Sequence, residues 1–133
     1  RELVEACHRN GIPVTSLPFS NSVALALALS GFTHDEFLFL GFPPKRSEER
    51  SVFFQRLCEQ RRTLILMDTP YRLKKVLQEL AHSVPHREAC LACELGSPHE
   101  RVVRGKPAEL MEIFEGEKLE FIAVISPGEF TRV

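Results

Sequence analysis

The stretch Arg61-Arg62-Thr63-Leu64-Ile65-Leu66-Met67-Asp68-Thr69-Pro70-Tyr71-Arg72 decides the fold class, because it reads as a buried strand running straight into a helix. Thr63 to Met67 form an apolar run of strand length with charge on both sides, as expected of a strand covered on both faces. Thr69 is suited to cap a helix with its hydroxyl, and Pro70 to occupy the first helical position, where a missing N–H costs nothing. Leu73, Val76, Leu77 and Leu80 follow at the spacing of a helix that buries one face. The unit is βα. Its helix N-terminus carries unpaired amide donors and partial positive charge where the strand ends, a usual place for a small-molecule site in an α/β sheet.

Working outward, the elements alternate. The pattern predicts a helix at 2–10 with Leu3, Val4 and Cys7 on one face and Gly11 closing it, then a strand at 12–17. Residues 21–30 alternate leucine or valine with alanine, which taken literally is a strand period. Alanine and leucine are strong helix formers, and Ser20-Asn21-Ser22 supplies capping residues, so a helix is expected, buried on most sides. A strand at 36–42, a helix at 47–60 facing inward with Phe53, Phe54, Leu57 and Cys58, strands at 88–95 and 100–104, a helix at 107–115 and a strand at 119–125 complete the series. Gly96-Ser97-Pro98 marks a turn, so the two middle strands read as a hairpin. The expected fold is α/β, a mixed sheet with helices on its faces.

Composition narrows the class without choosing a function. With 133 residues, 44% hydrophobic and 26% charged, the chain suits one core of moderate size and no disordered class. The net charge of −1 leaves RNA contact to local patches: Lys45, Arg46 and Arg50, or Arg61, Arg62, Arg72, Lys74 and Lys75, each more readily read as a solvated helix face, which carries such clusters routinely. No apolar run approaches the roughly twenty residues that span a bilayer, so no membrane partner is expected and the cytoplasm is the default. Cys90-Leu91-Ala92-Cys93 has redox or zinc spacing, but in a strand residues three apart face opposite ways, which points to core packing. Cys7 and Cys58 read as helix packing too.

Four segments carry a resemblance. Arg62 to Arg72 is similar to "R-T-L-I-x-x-[ED]-[ST]-P-[HY]-R" of the tetrapyrrole methylase superfamily, in the form found in the 16S ribosomal RNA (cytidine-2′-O)-methyltransferases. Pro18-Phe19-Ser20-Asn21-Ser22-Val23 through Leu29-Ser30-Gly31 resembles "P-G-P-S-A…A-L-S-G", and Phe37 to Pro43 resembles "F-L-F-x-G-F-x-P". Ala92-Cys93-Glu94-Leu95, His99-Glu100 and Arg104-Gly105 resemble "A-R-E-L-T-K-x-H-E-E-x-x-R-G". Phe19-Ser20 and Gly96-Ser97 depart from it, which leaves the substrate open.

The resemblance implies a two-domain enzyme with S-adenosylmethionine in the cleft between domains, small-subunit ribosomal RNA as substrate, and a homodimer. Residues 1–31 would be the tail of the methyl-donor domain plus a bridging helix, and 32–133 the C-terminal domain. The chain, which lacks an initiator Met and the superfamily's glycine-rich segment, is then expected to be the C-terminal part of a longer enzyme. Carried over by position, the cofactor contacts would be Asn21, Ser22, Met67, Lys106 and Pro107. Glu94, His99 and Glu100 are titratable residues in a family-like segment, and the sequence assigns no catalytic base among them. A tetrapyrrole methylase of the same fold, or a non-catalytic binding or dimerisation module, would fit the same motifs.

Overall fold

Strand β2 (Thr63–Asp68) is the centre of the architecture, and the sheet forms around it in the order β1-β2-β5-β3-β4. The computed structural model describes residues 1–128. The last five positions of the expected 32–133 domain therefore lie outside the described residues. β1 (Phe37–Gly41) runs parallel to β2, while β5 (Phe121–Ile125) runs antiparallel to it. β3 (Ala89–Cys93) and β4 (Arg101–Gly105) form the expected hairpin, and β3 pairs with β5. The sheet is mixed. Asp68, Cys93, Phe121 and Arg101 share one edge of it, and Leu64, Ala89, Ile125 and Gly105 share the other.

The period of two along each strand divides the core between two faces. Leu64, Leu66, Leu91, Cys93, Ala123 and Ile125 point to the face covered by α3 (Ser47–Gln55), α4 (Leu73–Ser83) and α5 (Pro107–Ile113). Leu73, Val76, Leu77 and Leu80 of α4 are all buried there, as their spacing predicts. Ile65, Cys90, Ala92, Ile122 and Val124 point the other way, to α2 (Ser22–Ser30) and Phe32. Cys90 and Cys93 therefore sit in different cores on opposite faces of one strand. Burial pushes both thiols up, that of Cys93 to about 12.

Several expectations are corrected. Residues 12–20 are exposed and irregular, with no strand at 12–17, because Pro13 and Pro18 withhold ladder donors and, among the described residues, no partner strand lies beside them. α1 (Glu2–Arg9) buries no residue; Cys7 is half-buried, and Leu3 and Val4 lie in the open. α2 forms where the capping residues place it, with Asn21 Oδ1 accepting the N–H groups of Val23 (2.9 Å) and Ala24 (3.2 Å). It is buried on one side only: Ala26, Leu27 and Ser30 face the sheet, while Leu25 and Leu29 are 44% and 46% exposed. The helix over 47–60 breaks at Gln55 into a 3₁₀ turn, and the tighter period rotates Cys58 out to solvent. Thr69 makes no side-chain cap, and a 3₁₀ turn over Pro70–Arg72 precedes α4. Asp68 supplies the acceptor instead, Oδ1 receiving the Thr69 N–H at 2.8 Å.

Candidate functional site

Where β2 ends, between its neighbours β1 and β5, the chain turns out of the sheet, and the side of that turn facing α2 is left open. The result is a cavity of about 380 Å³, within the roughly 300–1,000 Å³ range of small-molecule sites. Met67, Ala92 and Ile122 give it an apolar floor. Ser22, Thr69, Glu94 and Glu120 give it polar walls, and Phe42, just past β1, closes one end.

Two of the residues carried over by position meet here. Ser22 arrives from the first position of α2 and Met67 from β2, with the capping residue Asn21 adjoining Ser22. Lys106 and Pro107 do not reach it. They follow β4, whose last residue pairs with Ala89 at the far edge of the sheet, about 13 Å along the strands. There Pro107 is buried at the start of α5, and the Lys106 N–H donates to the Glu109 carboxylate at 2.8 Å, a helix-capping arrangement.

The structure also separates the three titratable candidates. Glu94 lines the cavity; His99 and Glu100 lie in the hairpin turn, where the Glu100 carboxylate accepts the Gly96 N–H at 3.1 Å. Glu94 has φ +51°, a left-handed backbone that non-glycine residues adopt only when the surroundings hold them there. Its N–H donates to the Glu120 carbonyl at 3.0 Å, and its Oε1 accepts the Glu120 N–H at 2.9 Å. The carboxylate thus takes the ladder position its own carbonyl would have filled, and only one of its oxygens is engaged by that bond.

Beneath the turn, on the opposite face, lies an ion cluster that sequence reasoning missed. Arg50, placed in an exposed basic patch by its charge, is 1% exposed. Its guanidinium donates to Asp68 Oδ2 at 2.9 Å and, through two nitrogens, to both Glu79 carboxylate oxygens at 2.7 and 2.8 Å. Arg72 adds a 3.4 Å contact to the other Asp68 oxygen. Burial works against the Arg50 charge, but the hydrogen bonds and charges of Glu79 and Asp68 outweigh it and hold the guanidinium above its ordinary range. The clue was Arg50's position three and four residues before Phe53 and Phe54, on the same inward face of α3. β2, α3 and α4 are pinned together where the chain turns past the cavity. A larger groove, about 590 Å³, opens between α3 and α4 with this cluster in its wall, and none of the expected contacts lines it.

Comparison with known proteins adds the following. Residues 1–111 match the family described as Tetrapyrrole (Corrin/Porphyrin) Methylases. The chain is 36% identical over 127 residues to the ribosomal RNA small subunit methyltransferase I of Mycobacterium tuberculosis, covering 95% of this chain and 45% of the relative. It is 34% identical over 128 residues to the protein of the same name from Thermotoga maritima, covering 96% and 57%. The chain thus spans about half the length of the curated relatives it matches. Its fold is shared with the uroporphyrin-III C-methyltransferase of Thermus thermophilus solved in complex with S-adenyl homocysteine, at a TM-score of 0.53 and 19% identity, covering 94% of this chain and 57% of that one.

Proposed function

This chain belongs to the tetrapyrrole (corrin/porphyrin) methylase family, and we propose that it forms the C-terminal part of an S-adenosylmethionine-dependent methyltransferase that acts on small-subunit ribosomal RNA in the cytoplasm, at a ribose 2′-hydroxyl. The observation that carries the reading is the cavity that brings Ser22 and Met67 together at the end of β2. Relatives at 34–36% identity bear the name of a ribosomal RNA methyltransferase, which favours RNA over other acceptors of the family. In this reading residues 1–31 bridge to the methyl-donor domain, residues from 32 onward form the second wall of the cleft, and two copies assemble. Among the described residues, no helix is long and apolar enough to cross a membrane.

The cavity suits the donor chemically. Its apolar floor suits the adenine ring and the methylene chain of the donor, and its polar wall offers Ser22 and Thr69 for hydrogen bonds. Bound there, S-adenosylmethionine would supply a sulfonium methyl group to the ribose oxygen, the C–O bond forming as the C–S bond breaks and the electron pair staying with S-adenosylhomocysteine. The hydroxyl proton needs an acceptor. Glu94 is assigned that position, since it stands at the wall with one oxygen held by the Glu120 N–H. Alignment of donor and acceptor carries the remainder of the rate.

The test is transfer of labelled methyl from S-adenosylmethionine to small-subunit ribosomal RNA by the whole protein, followed by alkaline cleavage. A 2′-O-methyl ribose lacks the hydroxyl that attacks the neighbouring phosphate, so the labelled linkage resists cleavage. Label in a base, in a tetrapyrrole, or nowhere contradicts the reading.

A further inference from the structure

Tyr71 is the chain's single tyrosine, and it stands 80% exposed immediately after the turn that walls the cavity. Nothing in the fold needs it there: the buried work of this segment is done by Asp68 before it and Leu73 after it. The Lys118 ammonium sits over the ring, its Nζ 5.2 Å from the centroid. Lys118 belongs to the segment leading into β5, two residues before the cavity residue Glu120. Two segments that contribute cavity residues therefore also bring together a largely exposed aromatic ring and a cation that covers one of its faces.

That pairing has a specific chemistry. Single-stranded RNA presents unstacked bases that stack on aromatic side chains, and phosphates that pair with nearby lysines. With a net charge of −1, the chain has no overall attraction for RNA, so local devices of this kind must supply it. We propose that Tyr71 is the stacking platform for an unpaired RNA nucleotide at the cavity mouth, with Lys118 engaging the adjoining phosphate. The inference rests on the RNA reading above and goes beyond it by naming where the acceptor strand is held.

The experiment uses the chain's own composition. With one tyrosine and no tryptophan, intrinsic emission comes from Tyr71 alone and reports stacking directly. An end-labelled single-stranded RNA dodecamer is titrated by anisotropy while tyrosine emission is followed, with a duplex of the same sequence as control. Binding of the single strand with saturable loss of tyrosine emission, and weaker binding of the duplex, is expected. Tyr71→Ala should weaken single-strand binding roughly 5- to 150-fold, the range of one base stack, and Tyr71→Phe should restore most of it. Lys118→Ala should lower the slope of log affinity against log salt by about 0.7, one phosphate on a single strand. RNA binding with unchanged tyrosine emission and no effect of Tyr71→Ala overturns the inference while leaving the RNA reading intact. Absence of RNA binding at any concentration overturns both.

Discussion

The two faces of the sheet solve different problems. On the α3, α4 and α5 face, among the described residues, seventeen buried residues form one core, and the cluster of Arg50, Asp68 and Glu79 lies at its edge, with Glu79 partly open to the groove between α3 and α4. On the α2 face the core has eight, a single helix covers it, and Phe37, Phe39, Leu25 and Leu29 remain open. β2 serves both: Leu64, Leu66 and Asp68 face the first side, Ile65 and Met67 the second. The lesson is a division of labour along one strand. Rigidity is built on one face so that a cavity can be left on the other, and the strand end is held by an ion cluster whose Asp68 also borders the cavity.

Substitutions on each face can break or sharpen that contrast. The largest effect is expected from Arg50→Met, which leaves Glu79 without its guanidinium and Asp68, at 1% side-chain exposure, with only the 3.4 Å contact to Arg72. A loss of about 3–5 kcal/mol in urea unfolding follows from stranding buried charge. An effect near zero would show that the cluster does not hold the turn.

Next comes Leu91→Ala in the larger core, expected to cost about 2–5 kcal/mol in the same measurement. Leu27→Ala, on the single helix of the α2 face, should fall at the low end of that range, because one-sided cover collapses more readily around a void. Equal losses would contradict the asymmetry.

How much of this was legible is itself explained by the contrast. The buried face of α4 was readable because apolar spacing reports one-sided burial directly, β2 because a continuous apolar run reports burial on both faces, and the hairpin because Gly96-Ser97-Pro98 marks its turn. The helix over Ser22–Ser30 was readable from its caps although its periodicity said strand. Arg50 was misplaced because charge outweighs position in a linear reading, and only the third dimension brings Asp68 and Glu79 to it. Within the site, Ser22 and Met67 were placed at one cavity, whereas Lys106 and Pro107, similar in motif, fall at the far edge. Motif order carries no information on which end of a strand a residue occupies, since that follows from strand direction. Glu94 stood out among three candidates only once its left-handed backbone and its bond to Glu120 were visible.

A smaller effect concerns pH. The Cys93 thiol, pushed up by burial to about 12, stays protonated in the folded chain long after it ionises when unfolded. The stability it contributes is intact below about pH 8.5, the ordinary thiol value, and is lost as pH rises beyond it, because the unfolded state sheds the proton first. Stability followed by thermal unfolding should therefore decline on the alkaline side, and Cys93→Ala should flatten that decline. An unchanged slope would place the thiol in a wetter site than the fold shows. The smallest effect is expected at Leu25→Glu, on the open side of α2, within about 0.5 kcal/mol of the parent. Light scattering across a concentration series then reports whether that apolar side mediates assembly, which the substitution should weaken.

The central claim, that the cavity at the end of β2 holds the methyl donor, has a direct test in the chain's two methionines. Met67 lines the cavity, and Met111 lies on α5 against the other core. In a spectrum of the whole protein carrying ¹³C-labelled methionine methyl groups, with Met67 and Met111 assigned by substitution, titration with S-adenosylmethionine or S-adenosylhomocysteine should shift the Met67 resonance progressively and leave Met111 in place. Movement of Met111 alone, or of neither resonance at millimolar ligand, would contradict the account.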